Sequence, residues 1–272
     1  MGFFNTSWAL GSFITWIVTG YTVSLLGWRH GFIVNGLVLL TLGPILILIL
    51  KHWTGYSIEA FYKKESLGNN IVLRNLARYW KPILFLAITY FLSTGILYAA
   101  IVYLPSYLYT LSGSTTISST ISSIYPFSGA LGMILYGYIL DKYRGREKIK
   151  PILLSIPLAT ITLYALPVLA GYDMVYAGVM LVAIGLLVYG MNAQLITTIP
   201  ATLINKKIIP LSIGIIDAAG SLGSFISNTT TGYLIDIHGF TPVFIYWSLW
   251  IILTALPLLI LLHISVDYVE KS

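Results

Sequence analysis

The sequence contains no cysteine and few charged residues, and both absences restrict what the chain can be. Without cysteine it can form neither disulfides nor thiolate metal sites. Charged residues make up only 9% of its 272 residues and hydrophobic residues make up 57%, whereas soluble domains carry about 25% charged residues. A soluble fold of this size would need a mostly polar surface, so most of this chain must lie in lipid.

Patterns typical of enzymes and of nucleic-acid-binding proteins are also missing. The sequence has no nucleophile beside a base, no glycine-rich phosphate loop and no paired catalytic carboxylates. Its four histidines lie near the ends of hydrophobic runs, without the spacing of metal ligands. The basic residues behind the net charge of +6 do not share one face. We therefore expect no enzymatic activity, no metal or other cofactor and no nucleic-acid partner; the expected partners are the lipid bilayer and a small-molecule substrate.

What the sequence does contain is a series of long apolar runs. A membrane-spanning helix needs about 20 consecutive apolar residues, and many of the runs carry the Gly, Ser, Thr and Pro that membrane helices tolerate. The predicted fold class is an all-α membrane protein, a multi-pass bundle of eight transmembrane helices. The runs lie at roughly 3–26, 30–50, 82–104, 121–140, 151–171, 174–199, 208–235 and 240–264.

The basic residues are distributed as a membrane topology requires. If the eight runs alternate in direction, fourteen of the fifteen Lys and Arg residues fall on one side of the membrane, and Arg29 alone falls on the other. Positively charged loops stay in the cytoplasm. We therefore predict a multi-pass protein of the cell membrane with a cytoplasmic carboxy terminus.

The longest polar stretch separates the second run from the third. Within it, Arg74, Arg78 and Lys81 share one helical face, which predicts an amphipathic helix at the membrane surface. This stretch divides the chain into an amino-terminal helix pair at 1–50, a cytoplasmic linker at 51–81 and a six-helix unit at 82–272.

Two segments of the chain repeat each other. Residues 10–33 and 222–245 share eleven identities across 24 positions without a gap. Chance similarity between apolar segments would match Leu and Ile but seldom glycines and aromatics in register, so we infer a common origin. Small residues let helices approach closely, and the glycines predicted to pack helices in this way are Gly11, Gly20, Gly223 and Gly232.

The two copies have the same orientation, because the seventh run comes six runs after the first and the direction reverses with each run. Parallel repeats of this kind are a transporter architecture. Four runs, within residues 82–207, precede the second copy, and none precedes the first. By symmetry we expect an equivalent four-helix segment to precede Met1. Either the reading frame was assigned too short, or the gene is split or broken, or the segment is a separate partner.

One loop, taken together with the repeat, resembles the major facilitator superfamily. Members of that family have two six-helix halves, each with a loop that reads Gly-x-x-x-Asp-Arg/Lys, then Gly and basic residues. The segment from Gly137 to Lys148 is similar, with one extra residue after Asp141. The resemblance implies helices five to twelve of twelve, with an incomplete first half. It also implies a cytoplasmic gate, although the basic residues could instead serve only topology; the implied gate residues are Gly137, Asp141, Lys142, Gly145 and Arg146.

A narrower resemblance is to the organophosphate:phosphate antiporters. It rests on the segments 105–108, Pro-Ser-Tyr-Leu, and 126–132, Pro-Phe-Ser-Gly-Ala-Leu-Gly. Those proteins place an Arg for the phosphate on the helix that corresponds to residues 82–104, which here contain no Arg or Lys. A dianionic phosphate would have no fixed cation there to compensate its desolvation, so the charge of the substrate stays open.

Polar side chains inside the apolar runs are the candidate site residues. Asp217 lies about nine residues into the seventh run, where burial would favour its protonated form. It is a proton-coupling residue, a capped polar contact to a neighbouring helix, or a residue that lies nearer to water than its place in the run indicates. Amides and hydroxyls can bind polar atoms of a substrate or bridge helices. The predicted substrate-pathway residues are Asn192, Gln194, Thr94, Tyr98 and Asn228.

These observations predict a secondary active transporter that moves a small solute by alternating access. Two alternatives stay open: a truncated remnant that inserts without transporting, and a subunit that needs a separately encoded four-helix partner. The substrate, the coupling ion and the choice between symport and antiport stay open as well.

Overall fold

The computed structural model describes residues 2–54 and 69–264, and within these ranges the chain is almost entirely helical, with no β-strand. Apolar runs in lipid become helices because each backbone N–H and C=O must find a partner within its own segment. The helices are α1 Gly2–Leu26, α2 Trp28–Thr54, α3 Asn69–Ser112, α4 Thr115–Asp141, α5 Ile149–Ala170, α6 Met174–Ile196, α7 Thr198–Leu203, α8 Ile209–His238, α9 Thr241–Leu253 and α10 Ala255–His263.

The predicted number of membrane spans is confirmed. In the described part of the chain, eight segments are long and apolar enough to cross a membrane. The sixth is formed by α6 and α7 together, and the eighth by α9 and α10. The chain is therefore a multi-pass helical membrane protein.

The third span begins earlier than its apolar run predicts. α3 is one continuous helix of 44 residues, about 66 Å long, whereas the hydrocarbon core of a bilayer is only about 30 Å thick. Arg74, Arg78 and Lys81 lie in its first turns, so the amphipathic helix predicted for the linker is the start of α3 and not a separate element. The linker residues 55–68 lie outside the described residues.

Glycines bring the longest helix pairs into close contact. α4 packs along α6, and α3 packs along α8. A Cβ added at Gly132 would lie 2.3 Å from the carbonyl oxygen of Leu186, and one added at Gly223 would lie 2.0 Å from that of Phe91. No side chain fits at such distances, so the absence of a Cβ is what lets these backbones approach.

The first two helices join the bundle from outside its core. α1 packs on α4, and α2 contacts α1. At the α1–α4 contact, a Cβ added at Gly20 would lie 1.8 Å from the hydroxyl oxygen of Ser119. Apart from Ala9, all described buried hydrophobic residues lie between Tyr79 and Leu261. The spans from α3 to α10 therefore enclose a core to which α1 and α2 add little.

Two of the four repeat glycines differ from the predicted packing role. Gly232 meets only the hydroxyl oxygen of Tyr103, 2.8 Å from its Cβ position, which is the end of a rotatable side chain. Gly11 has no atom within 4 Å of its Cβ position among the described residues. Its counterpart Gly223 packs on α3, whereas no described helix lies against α1 at the corresponding place, so Gly11 packs nothing here.

The basic loops lie together at one end of the bundle. α7 contacts the 3-10 turn Gly145–Lys148 and leads into the 3-10 turn Lys206–Ile208. Lys142, Arg144 and Lys150 flank the first of these turns. We call this end the basic end, and the end at which α1, α3 and α8 finish is the opposite end.

The turn that closes each repeat copy has the same backbone geometry. α1 ends at Gly27 with φ of 86°, and α8 ends at Gly239 with φ of 74°. The N–H of Gly27 donates to the carbonyl oxygen of Val23 at 3.0 Å, and the N–H of Gly239 donates to that of Ile235 at 2.9 Å. Only glycine adopts such φ values without strain, which explains why both copies keep it.

A hydrogen bond between neighbouring helices is also duplicated. In the first copy, Asn35 Nδ2 donates to Thr19 Oγ1 at 2.7 Å. In the second copy, Trp247 Nε1 donates to Thr231 Oγ1 at 3.0 Å. The donors occupy equivalent positions of the repeat, as do the threonines, so the two copies agree in tertiary structure as well as in sequence.

Candidate functional site

The predicted pathway residues Asn192 and Tyr98 line one cavity, which we call the Asn192 cavity. It encloses about 300 Å³ between α1, α3, α4 and α6. Its walls mix aromatic rings, aliphatic side chains and a few polar groups: Ser7, Trp8, Tyr90, Leu97, Tyr98, Met133, Asn192, Ala193 and Ile196. Sequence reasoning therefore identified its amide and one of its tyrosines.

Asn192 holds α6 to α3 through two hydroxyls. Its Nδ2 donates to Thr94 Oγ1 at 2.8 Å and to Ser93 Oγ at 3.1 Å. All three side chains are buried, and a buried amide without such partners would be costly. Two of the predicted pathway residues, Asn192 and Thr94, are thus in direct contact, and the hydrogen bond fixes the position of the amide at the edge of the cavity.

Trp8 of the cavity wall packs on two other aromatic rings, Tyr98 of the same wall and Tyr189, and sequence reasoning missed Trp8 and Tyr189. The Trp8 ring lies 5.7 Å from that of Tyr98 and 5.3 Å from that of Tyr189, measured between centroids. The repeat aligns Trp8 with Gly220 of α8, whose Cβ position lies 2.5 Å from the Tyr90 ring. The second copy needs a glycine at this position, whereas the first copy has a tryptophan. This difference was the available sequence signal that α1 contacts different neighbours here.

Asp217 lies near this cavity but is not enclosed. It sits two turns into α8 from the basic end, and its side chain is exposed rather than buried among helices. The carboxylate is close enough to Tyr90 and Tyr98 to interact electrostatically with both hydroxyls. No described basic side chain pairs with it, because the described residues contain a single ion pair, between Lys150 and Glu147.

The structure places the other two amides away from the Asn192 cavity. Gln194 Nε2 donates to the carbonyl oxygen of Met133 at 3.4 Å, and its Oε1 accepts from Thr198 Oγ1 at 2.5 Å. Asn228 Nδ2 donates to the carbonyl oxygen of Ser224 at 2.8 Å. Gln194 therefore connects α6 to α4, and Asn228 forms a hydrogen bond within α8. Both amides stabilise helices rather than line the Asn192 cavity.

The implied gate motif lies at the basic end. Asp141 is the last residue of α4 and is exposed, and it forms no ion pair with any basic side chain that the structure describes. Lys142 Nζ lies 4.3 Å from the centroid of the Tyr138 ring, a cation–π distance. Gly145 has φ of 51°, where glycine is favoured, and Arg146 lies in the 3-10 turn that follows. Gly137 lies one turn before Asp141 in α4.

A larger cavity lies at the opposite end, between α1, α3, α4 and α8. It encloses about 830 Å³, and we call it the Asp236 cavity. Its lining combines hydroxyl-bearing side chains with aromatic and aliphatic ones. Among these residues, sequence reasoning singled out only Gly20 and Gly232, as packing glycines, and none as a ligand-binding residue. The signal available was Asp236, an acidic residue three positions after the repeat triplet Thr-Gly-Tyr, near the end of an apolar run.

Comparison with known proteins points to one family. The sequence profile of the Major Facilitator Superfamily matches residues 1–227. The chain is also similar to the Arabidopsis thaliana protein named "Putative glycerol-3-phosphate transporter 5", with 23% identity over 285 residues. That match covers 90% of this chain and 57% of the relative, so the chain spans little more than half the length of the relative.

Proposed function

Because this chain belongs to the major facilitator superfamily, we propose that it is part of a secondary transporter that moves a small solute by alternating access. The proposal assigns it transport rather than catalysis. The observation that carries the proposal is the duplicated helix pair: α1 and α8 have the same direction, the same closing turn and the same cross-helix hydrogen bond. Parallel repeats about an axis along the membrane normal are the arrangement in which two halves can rock against each other.

The contact between α1 and α4 is the proposed sliding surface. α1 belongs to the first half and α4 to the second, and they meet at Gly20 and Ser119 with almost no intervening side chain. The Asn192 and Asp236 cavities lie on both sides of this contact, and α1 and α4 contribute to the walls of both. A tilt of α1 relative to α4 would widen the entrance of one cavity and narrow the entrance of the other.

Transport by the chain can be tested directly in proteoliposomes. Uptake of candidate solutes, among them glycerol 3-phosphate because of the name of the relative, is measured for the 272-residue chain and for a version extended by any upstream coding sequence. Uptake above that of empty liposomes, lost in an Asn192→Leu variant that still folds, supports the proposal. Absence of uptake for every solute by both versions would contradict it.

Proton coupling through Asp217 is the finer part of the proposal. What supports this role is an acidic residue within the seventh membrane span that has no cation as partner among the described residues. Asp217→Asn removes the proton site and keeps the size of the side chain. We expect this variant to lose the pH dependence of uptake, while Asp173→Asn, at the opposite end, keeps it. An unchanged pH dependence in Asp217→Asn would end the idea.

The proposed orientation places the basic end, and with it the carboxy terminus, in the cytoplasm of a cell-membrane protein. The absence of cysteine makes this simple to test. Single cysteines replace Lys148 at the basic end and Asp173 in the turn before α6, and intact cells are treated with an impermeant maleimide. We expect labelling at 173 and not at 148; the reverse pattern would overturn the orientation.

A second candidate function is that of a subunit that works with a four-helix partner, and one observation favours it. Gly220, Gly223 and Ser227 form the buried face of α8 against α3. At the equivalent positions of α1, Gly11 and Thr15 are exposed, while Trp8 packs on Tyr98 and Tyr189. A face that is covered in one copy and exposed at Gly11 and Thr15 in the other is suited to a helix that resembles α3.

Co-expression tests this partner. A tagged 272-residue chain is produced with a separate chain that carries the upstream four-helix segment, and the complex is captured through the tag. We expect capture of the segment by the native chain and loss of capture by Gly11→Leu. Gly36→Leu is the matched control, because Gly36 of α2 also has no atom within 4 Å of its Cβ position. Equal capture by both variants would contradict the docking face.

A further inference from the structure

The Asp236 cavity is lined by several aromatic side chains and one acidic side chain. Four aromatic side chains, from two helices and the turn after α8, line it together with an acidic group. The residues that matter are Trp16, Tyr103, Tyr109, Phe240 and Asp236. Serine and threonine hydroxyls complete the lining. The cavity is large enough for a small organic molecule, because ligand sites generally enclose about 300–1,000 Å³.

Asp236 gives this cavity a negative charge that nothing described in the structure neutralises. No Lys or Arg belongs to the lining, and Asp236 forms no ion pair among the described residues. Arg29 lies at the same end, but its guanidinium carbon lies 5.0 Å from the centroid of the Trp28 ring and it is not among the lining residues. Asp236 is exposed and lies two residues before the end of α8, so its carboxylate is open to a cation that enters the cavity.

The aromatic rings favour the same kind of ligand. Ring faces attract cations within about 6 Å of the centroid, and sites for quaternary ammonium groups are generally built from several aromatic side chains. The rings also tolerate the alkyl groups of an organic cation, which a purely carboxylate-lined metal site would not. We propose that the Asp236 cavity binds a monovalent organic cation, a protonated or quaternary amine, with its charge at Asp236 and its alkyl groups against the rings.

This inference deepens the transport proposal, since its role as a substrate site rests on that proposal. It also separates this chain from the relative whose name contains glycerol 3-phosphate. A phosphate ester needs Arg or Lys to compensate its desolvation, and neither residue lines the Asn192 cavity or the Asp236 cavity. On the residues described here, the pathway is suited to a cation and not to an anion.

Binding is tested with tetraethylammonium as the probe. The purified 272-residue chain in lipid nanodiscs is titrated with tetraethylammonium chloride by calorimetry, with NaCl adjusted to constant ionic strength. A second titration uses inorganic phosphate. We expect saturable binding of tetraethylammonium and no binding of phosphate. Saturable phosphate binding without tetraethylammonium binding would overturn the proposal.

Matched variants assign the binding to the cavity. Asp236→Asn removes the charge at nearly constant volume, and Asp173→Asn makes the same change at the same end, where the side chain caps α6 and an asparagine can also cap. We expect the first variant to bind at least about tenfold more weakly and the second to bind as the native chain does. Tyr109→Leu, which removes a ring without changing charge, should also weaken binding. Unchanged affinity in Asp236→Asn would overturn the proposal, and if that variant does not fold, unchanged affinity in Tyr109→Leu does so.

A transport measurement distinguishes failure of this inference from failure of the proposed function. Uptake of radiolabelled tetraethylammonium is measured in proteoliposomes beside the uptake of other solutes. Uptake of another solute with no tetraethylammonium binding would overturn the cation site and leave transport standing. Calorimetric binding with no uptake of any solute would uphold the site and count against transport.

Discussion

α1 and α8 carry the same glycines at equivalent positions, yet those glycines meet different surroundings. Gly223 of α8 lies against the backbone of α3, while Gly11 of α1 faces open space. Conversely, Gly20 of α1 lies against Ser119, while Gly232 of α8 meets only a tyrosine hydroxyl. A repeated residue therefore does not have a repeated role unless the neighbouring helix is repeated as well.

The features that the two copies share are local to each helix pair. The positive φ of Gly27 and Gly239 and the hydrogen bonds to Thr19 and Thr231 involve only the two helices of each pair. Contacts with a third helix are the ones that differ. Substitutions at equivalent positions can therefore separate local roles from roles that depend on a neighbour.

The largest difference is expected between Gly223→Leu and Gly11→Leu. A leucine at 223 must displace the backbone of α3, because its Cβ would lie 2.0 Å from the carbonyl oxygen of Phe91. We expect it to lower the free energy of unfolding by about 3 kcal/mol or more, whereas Gly11→Leu should leave it unchanged. The measurement is unfolding of the 272-residue chain in mixed micelles, monitored by circular dichroism. Equal losses in both variants would show that α1 has a close neighbour after all.

The second difference is expected between Gly20→Ala and Gly232→Ala. The Cβ at 20 would lie 2.5 Å from the Cβ of Ser119, which cannot rotate away, whereas the hydroxyl of Tyr103 can move from a Cβ at 232. The Tyr103 hydroxyl would give up its hydrogen bond to the carbonyl oxygen of Asn228 by moving. We expect a loss of about 2–3 kcal/mol for Gly20→Ala and of about 1 kcal/mol for Gly232→Ala.

Thermal unfolding followed by size-exclusion chromatography measures this second difference. A double variant that combines Gly20→Ala with Ser119→Gly should recover part of the loss, because the clashing side chain is gone. No recovery in the double variant would mean that the α1–α4 contact is not what the alanine disturbs.

The smallest difference is expected between Thr231→Val and Thr19→Val. Valine at 231 leaves the indole N–H of Trp247, which is 1% exposed, without an acceptor, at a cost of about 1–2 kcal/mol. Asn35 also donates to the carbonyl oxygen of Gly31 at 2.9 Å, so it keeps a partner in Thr19→Val. We expect a loss below about 0.5 kcal/mol for that variant, and a larger loss for Thr19→Val than for Thr231→Val would reverse the comparison.

The candidate site was only partly predictable, and the reason is distance along the chain. Asn192 and Thr94 were recognisable as polar residues in apolar runs, but their hydrogen bond joins positions 98 residues apart. Trp8 and Tyr189 are ordinary aromatic residues in sequence, and only the packing of α1 against α4 and α6 brings their rings together. Gln194 was equally recognisable as a polar residue in an apolar run, but it bridges α6 and α4. The sequence does not show which neighbouring helix an amide side chain contacts.

The sequence alone determined the class of the protein, the number of spans, the repeat and the turns that close it. These features depend on short-range physics. An apolar run must be long enough to cross the bilayer, and a turn with positive φ favours glycine. Only the tertiary structure decided which repeat glycine packs, that α3 is continuous from Asn69 to Ser112, and that Asp217 and Asp236 lie beside separate cavities. Those outcomes depend on which helix packs opposite each residue. The sequence around a residue in a membrane helix does not show which other helix that residue will contact.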